Sequence, residues 1–151
     1  MNKYQKLAAL FLVTASIVGG GLLPQAANAE ASDVLVGWGN GDYVEYLPGY
    51  ERVGSNGAKF AFQTDGNVVL YSSAGRPVWQ SRTYGRGASK LSLQLDGNIV
   101  VYRADNTPLW SAGVSKHFSG YWSLRLSGTG ASPRMTETNE SSGSTTHWRI
   151  P

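Results

Sequence analysis

Cysteine is absent from this chain of 151 residues, which excludes disulfides, thiol chemistry and thiolate zinc sites. Only two histidines occur, His117 and His147, and neither stands in a triad or metal-ligand spacing, so both read as surface or loop residues. No apolar run after residue 29 approaches membrane length, so no membrane insertion is expected of the mature chain. Sustained helical periodicity is missing as well, and helix formers are sparse from Val34 to Trp148. A nucleophile with its base and orienter is nowhere recognisable, which argues against an enzyme.

A basic start at Lys3 and Lys6, an apolar stretch from Leu7 to Val18 and the small-residue site Ala27-Asn28-Ala29 have the layout of a secretory signal peptide. The expected division is a leader over 1–29 and one mature domain over 30–151, secreted and extracellular. An anchor is the rival reading, but the apolar stretch ends at Gly19-Gly20-Gly21 and is too short to span a bilayer. The chain carries thirteen Lys and Arg against ten Asp and Glu; two of the lysines fall in the leader, leaving eleven against ten. With so small an excess and no clustered basic face, nucleic acid is not an expected partner. Arg82 and Arg86 read as solvated charges in a Gly-rich loop. About 120 mature residues suffice for one domain, which without disulfides must rest on its apolar core or on oligomeric contacts.

What the chain does have is a duplication. The pattern Gln-x-Asp-x-Asn-x-Val-x-Tyr occurs as Gln63, Asp65, Asn67, Val69, Tyr71 and again as Gln94, Asp96, Asn98, Val100, Tyr102, an offset of 31 residues. Lys59 and Lys90, Gly66 and Gly97, Pro77 and Pro108, and Trp79 and Trp110 keep the same offset. Short β-prone runs between turn signals predict an all-β domain. A two-residue Asp-Gly turn would mix polar and apolar residues on one face. A three-residue loop, Thr64-Asp65-Gly66, pairs Gln63 with Asn67 and puts glycine where a left-handed residue is needed. In that register Phe60, Phe62, Val68 and Leu70 share one face, and Lys59, Gln63, Asn67, Val69 and Tyr71 share the other. The second copy separates Leu91, Leu93, Ile99 and Val101 from Lys90, Gln94, Asn98, Val100 and Tyr102 in the same way. Trp79 and Trp110 are expected in the core as large apolar side chains.

The polar faces suit a hydroxyl-rich ligand. Gln and Asn both donate and accept, Asp accepts, Tyr offers a hydroxyl, and Val adds a small apolar patch. A sugar presents the complement, adjacent hydroxyls beside C–H groups, and a misplaced hydroxyl would leave polar groups unpaired at about 1–3 kcal/mol. Asp65 and Asn67 would also serve a plain turn, but a turn requires neither Gln nor Tyr at these positions.

On these residues the chain resembles the bulb-type, or monocot mannose-binding, lectins, whose mannose-binding motif both copies fit at every defined position. The resemblance spans about Asp33 to Trp148. It implies a β-prism II fold, with three four-stranded sheets about a pseudo-threefold axis, one sugar pocket per sheet, and no metal or other cofactor. It further implies that Gln63 and Gln94 bond the mannose 3-hydroxyl and that Asp65, Asn67, Asp96 and Asn98 hold the axial 2-hydroxyl. Tyr71 and Tyr102 would bond the 4-hydroxyl, and Val69 and Val100 would touch the ring carbons. The expected partners are mannose or mannose-rich glycans, and a homodimer is implied by the family's habit of exchanging a C-terminal strand, here 146–150.

Three departures accompany the resemblance. Offsetting the second motif by 31 gives Arg125, Ser127, Thr129, Ala131 and Pro133, so the third repeat is degenerate and expected to be structural. Gly66 stands where plant members place a Cys, which suits a bacterial origin. The segment 132–146 is polar and reads as a loop; within it, Asn139-Glu140-Ser141 matches a glycosylation sequon, at which a bacterial leader argues against a glycan. Rival functions are a glycosidase, a lectin-like bacteriocin that kills related bacteria after binding surface polysaccharide, and a structural or protein-binding module that has kept the fold and lost sugar affinity. The glycosidase is disfavoured because Asp65 and Asp96 fall in different repeats. The bacteriocin would use the same motif, so the motif does not separate it from a plain lectin.

Overall fold

The computed structural model describes residues 30–114, 120–142 and 145–150. The leader expected over 1–29 and His117 lie outside the described residues. The strands are β1 (Glu30–Gly39), β2 (Val44–Tyr46), β3 (Tyr50–Val53), β4 (Lys59–Phe62), β5 (Val68–Tyr71), β6 (Pro77–Gln80), β7 (Ala88–Leu93), β8 (Ile99–Arg103), β9 (Pro108–Ser111), β10 (Tyr121–Thr129), β11 (Pro133–Asn139) and β12 (Thr145–Ile150). A single 3-10 turn, Glu140–Ser142, joins the last two.

Three four-stranded antiparallel sheets result. The first-motif sheet has the order β3-β4-β5-β6, the second-motif sheet β2-β7-β8-β9, and the third sheet β1-β10-β11-β12. In both motif hairpins the turn sets the register. The Gln63 amide donates to the Asn67 carbonyl at 2.8 Å and the Gly66 amide to the Gln63 carbonyl at 2.9 Å, with Gly66 at φ +87°. Gln94, Asn98 and Gly97 repeat this at 2.8 and 3.0 Å, with Gly97 at φ +84°. The loop is therefore the three-residue form with glycine left-handed.

That register turns one side of each hairpin inward. Phe60, Phe62, Val68 and Leu70 from the first, and Leu91, Leu93, Ile99 and Val101 from the second, are buried in one continuous core with Trp122, Leu124, Leu126 and Met135 of the third sheet. Each such side chain contributes on the order of 1.5–3 kcal/mol before conformational entropy is subtracted. Trp79 and Trp110 pack against this core and meet edge to face at 5.3 Å, joining the two motif sheets. Trp38 of β1 donates its indole N–H to the Gln94 carbonyl at 2.8 Å, tying the third sheet to the second motif.

The segment 132–146 is not the loop its composition suggests. It holds β11, the 3-10 turn and the start of β12, which pairs with β11 of its own chain. Pro133, Met135, Glu137 and Asn139 point inward and are buried; two of these four are polar, which hides the alternation from a hydropathy reading. Asn139 is 1% exposed, and its side-chain oxygen accepts the Ser141 and Ser142 amides at 2.9 and 3.1 Å, capping the 3-10 turn. No helix among the described residues is long and apolar enough to cross a membrane.

Candidate functional site

On the outer side of the first-motif sheet, Gln63 lies opposite Asn67, Ala61 opposite Val69, and Lys59 opposite Tyr71. Gln63 Nε2 donates to Tyr71 Oη at 2.6 Å, a bond that spans the Ala61–Val69 pair between them in register. Gln94 Nε2 and Tyr102 Oη repeat it at 2.7 Å across Ser92 and Val100. Gln and Tyr therefore share a face in both copies. Asp65 lies in the loop, where one carboxylate oxygen accepts the Asn67 amide at 2.9 Å; Asp96 does the same for Asn98 at 2.9 Å. One oxygen of each carboxylate thus fixes the turn while the other has no bond within the described residues, so the turn role and an acceptor role coexist.

Lysine borders each face. Lys59 Nζ sits 5.4 Å from the Tyr71 ring centroid and 3.1 Å from Glu51, while Lys90 sits 5.5 Å from the Tyr102 ring and 3.1 Å from Glu45. Each cation–π contact is worth about 0.5–1 kcal/mol at such exposure and holds the tyrosine ring in place. The acidic partners Glu45 and Glu51 were not expected from the sequence; both come from strands outside the repeat. Val69 and Val100 point outward by register yet are each 3% exposed, so they form the floor beneath the Gln–Tyr bridge rather than an open apolar patch.

The third sheet is built differently. Counted from its paired core residues, Ser127 and Arg134 take the places of Gln and Asn, Arg125 and Thr136 flank the middle position, and Ser123 and Thr138 replace Lys and Tyr. Glu140 folds back over this face, where its Oε1 accepts from Ser123 Oγ at 2.6 Å and from Arg125 Nη2 at 2.7 Å, and these bonds hold its carboxyl below the usual range. The offset residues Arg125, Ser127 and Thr129 lie on β10, and Pro133 begins β11, because this hairpin has longer arms and turns later. Among the described residues no group of three or more His, Asp or Glu could hold a metal ion.

No protein-family model and no curated protein sequence matches the chain. Solved structures do. A monomeric monocot mannose-binding lectin from Gastrodia elata is 27% identical, with a TM-score of 0.53, over 72% of this chain and 94% of that one. The Polygonatum cyrtonema lectin complexed with monomannoside is 28% identical, with a TM-score of 0.50, over 59% of this chain and 78% of that one. A Japanese Marasmius oreades lectin shares the fold at 19% identity and a TM-score of 0.56, over 82% of this chain and 90% of that one.

The fold is the β-prism II fold of the monocot mannose-binding lectins.

In a β-prism II chain the outer faces of the three sheets are equivalent places. Two of those places here carry the full motif, and the third carries an internally paired Arg–Glu–Ser cluster. Asp65 and Asp96 stand on different sheets of the prism, each serving its own face.

Proposed function

We propose that the protein is a secreted lectin that binds terminal mannose or mannose-rich glycans, without metal and without catalysis, at two sites: Gln63, Asp65, Asn67, Val69 and Tyr71, and Gln94, Asp96, Asn98, Val100 and Tyr102. The observation that carries this reading is the twofold repetition of one face geometry, a Gln–Tyr bridge over a valine floor with an Asp–Asn turn at its end. A tyrosine hydroxyl that already accepts from glutamine keeps its own proton to donate, and the free carboxylate oxygen accepts. Together these groups present alternating donors and acceptors to neighbouring hydroxyls.

Few direct contacts on an open face imply millimolar affinity for a monosaccharide, on the order of −4 kcal/mol. Retention on mannose–agarose, released by free methyl α-mannoside and insensitive to chelators, tests the reading. Retention that persists unchanged in the Asp65→Ala, Asp96→Ala double variant would overturn it.

A further inference from the structure

Asn67 and Asn98 occupy the same motif position but are held by different neighbours. Asn67 is 5% exposed; its Oδ1 accepts the Thr83 backbone N–H and the Ser81 hydroxyl, both at 3.1 Å, and its Nδ2 donates to Gln80 Oε1 at 2.9 Å. Thr83 Oγ1 donates to the Gly66 carbonyl at 2.6 Å, which anchors this arrangement to the motif loop. The chain reaches Asn67 because Arg82 bends it at φ +59°, a left-handed conformation uncommon for a non-glycine residue. In the second-motif sheet Gly113 makes the same bend at φ +74°.

At the repeat offset, Gln80, Ser81 and Thr83 become Ser111, Ala112 and Val114. Ala112 and Val114 have no hydroxyl to offer. The only side-chain bond to the Asn98 amide among the described residues comes from Ser111 Oγ to Oδ1, at 3.0 Å. The difference is chemical as well as numerical. A backbone N–H can only donate, so Thr83 fixes the Asn67 amide with its oxygen inward, and its nitrogen, which gives one proton to Gln80 Oε1, keeps the second to donate. A hydroxyl donates or accepts, so Ser111 satisfies either orientation of the Asn98 amide.

We infer that Gln80, Ser81 and Thr83 are positioning residues that make the two sugar sites unequal. The first-motif face is the tighter and the stricter toward hydroxyl stereochemistry; the second is weaker and more tolerant. This rests on the mannose reading above and adds the ranking of its two sites. A pre-ordered amide loses less freedom on binding, and an amide locked as a donor leaves a misplaced hydroxyl without its partner.

The test uses single-site proteins titrated calorimetrically with methyl α-mannoside and its 2-epimer, methyl α-glucoside. Asp96→Ala leaves the first site and Asp65→Ala the second. The expected result is mannoside binding about threefold to tenfold tighter in Asp96→Ala, with the larger mannoside-to-glucoside ratio. In 15N NMR spectra the Asn67 side-chain NH2 protons exchange more slowly than those of Asn98. Converting all three to their second-motif counterparts, Gln80→Ser with Ser81→Ala and Thr83→Val, removes the Gln80 acceptor, the Ser81 donor and the Thr83–Gly66 anchor that holds the Thr83 N–H against Asn67. It shifts both affinity and exchange toward second-site levels, whereas Thr83→Ser alone retains them. Equal affinity and equal selectivity in the two single-site proteins would overturn the ranking and leave the lectin reading standing. Absence of mannoside binding in both, and in the unaltered protein, would overturn the lectin reading itself.

Discussion

Gln63 and Tyr71 hold one another at 2.6 Å, and Gln94 and Tyr102 at 2.7 Å, so each tyrosine hydroxyl is aimed before any ligand arrives. Replacing Tyr71 and Tyr102 with Phe should weaken methyl α-mannoside binding by about 0.5–1.5 kcal/mol per site with little change in Tm, measured by calorimetry and thermal melts. A second residue-scale consequence lies in the core. Glu137 is fully buried, and its carboxylate oxygens have no hydrogen-bond partner among the described residues. Burial first, and then the nearby Asp96 charge, push its pKa from an ordinary 4.5 up to about 8. Between those two values the folded chain keeps a proton that the unfolded chain has released, so stability falls as pH rises from about 4.5 to about 8 and levels off above. Glu137→Gln should flatten that slope, with a gain at pH 8 on the order of 1–3 kcal/mol relative to pH 5, read from denaturant titrations at the two pH values.

At the scale of the element, the two motif hairpins were legible because inward and outward residues alternate without exception from Lys59 to Tyr71 and from Lys90 to Tyr102. Parity alone selects the three-residue loop, and Gly66 and Gly97 take the left-handed position it demands. A Cβ on Gly97 would also lie 2.5 Å from the Trp122 ring, and one on Gly66 2.8 Å from the Ala88 Cβ. Gly97→Ala should therefore destabilise by roughly 1–3 kcal/mol, more than Gly66→Ala, as equilibrium denaturation would measure. β11 was not legible, since Glu137 and Asn139 occupy inward positions that an apolar pattern would have filled. The neighbours of Asn67 were also missed, although the signal was present: Gln80, Ser81 and Thr83 break the repeat offset where the motif itself keeps it. A hydrogen bond from the Thr83 backbone depends on the left-handed bend at Arg82, which composition does not announce.

At the scale of the whole molecule, three sheets share one core and leave three outer faces, of which two carry the motif and one is closed by Glu140. The sequence specified this division through its intact and degenerate repeats. It misplaced the third hairpin, because the arms of β10 and β11 lengthen and shift the turn away from the repeat offset. On the proposed reading, two weak sites on one body imply avidity. Losing either site alone should halve monosaccharide stoichiometry but lower retention on a dense mannan surface by up to about 10²-fold, provided both sites reach the surface together. Surface plasmon resonance on mannan at graded densities would separate the two effects.

That the two repeated faces are the sugar sites is a claim that calorimetric stoichiometry with methyl α-mannoside decides. The unaltered protein should bind two mannosides per chain, each single Asp→Ala variant at position 65 or 96 one, and the double variant none, while it still melts cooperatively at a Tm lowered by the loss of the two turn bonds. A double variant that still binds mannoside with the stoichiometry of the unaltered protein would contradict it.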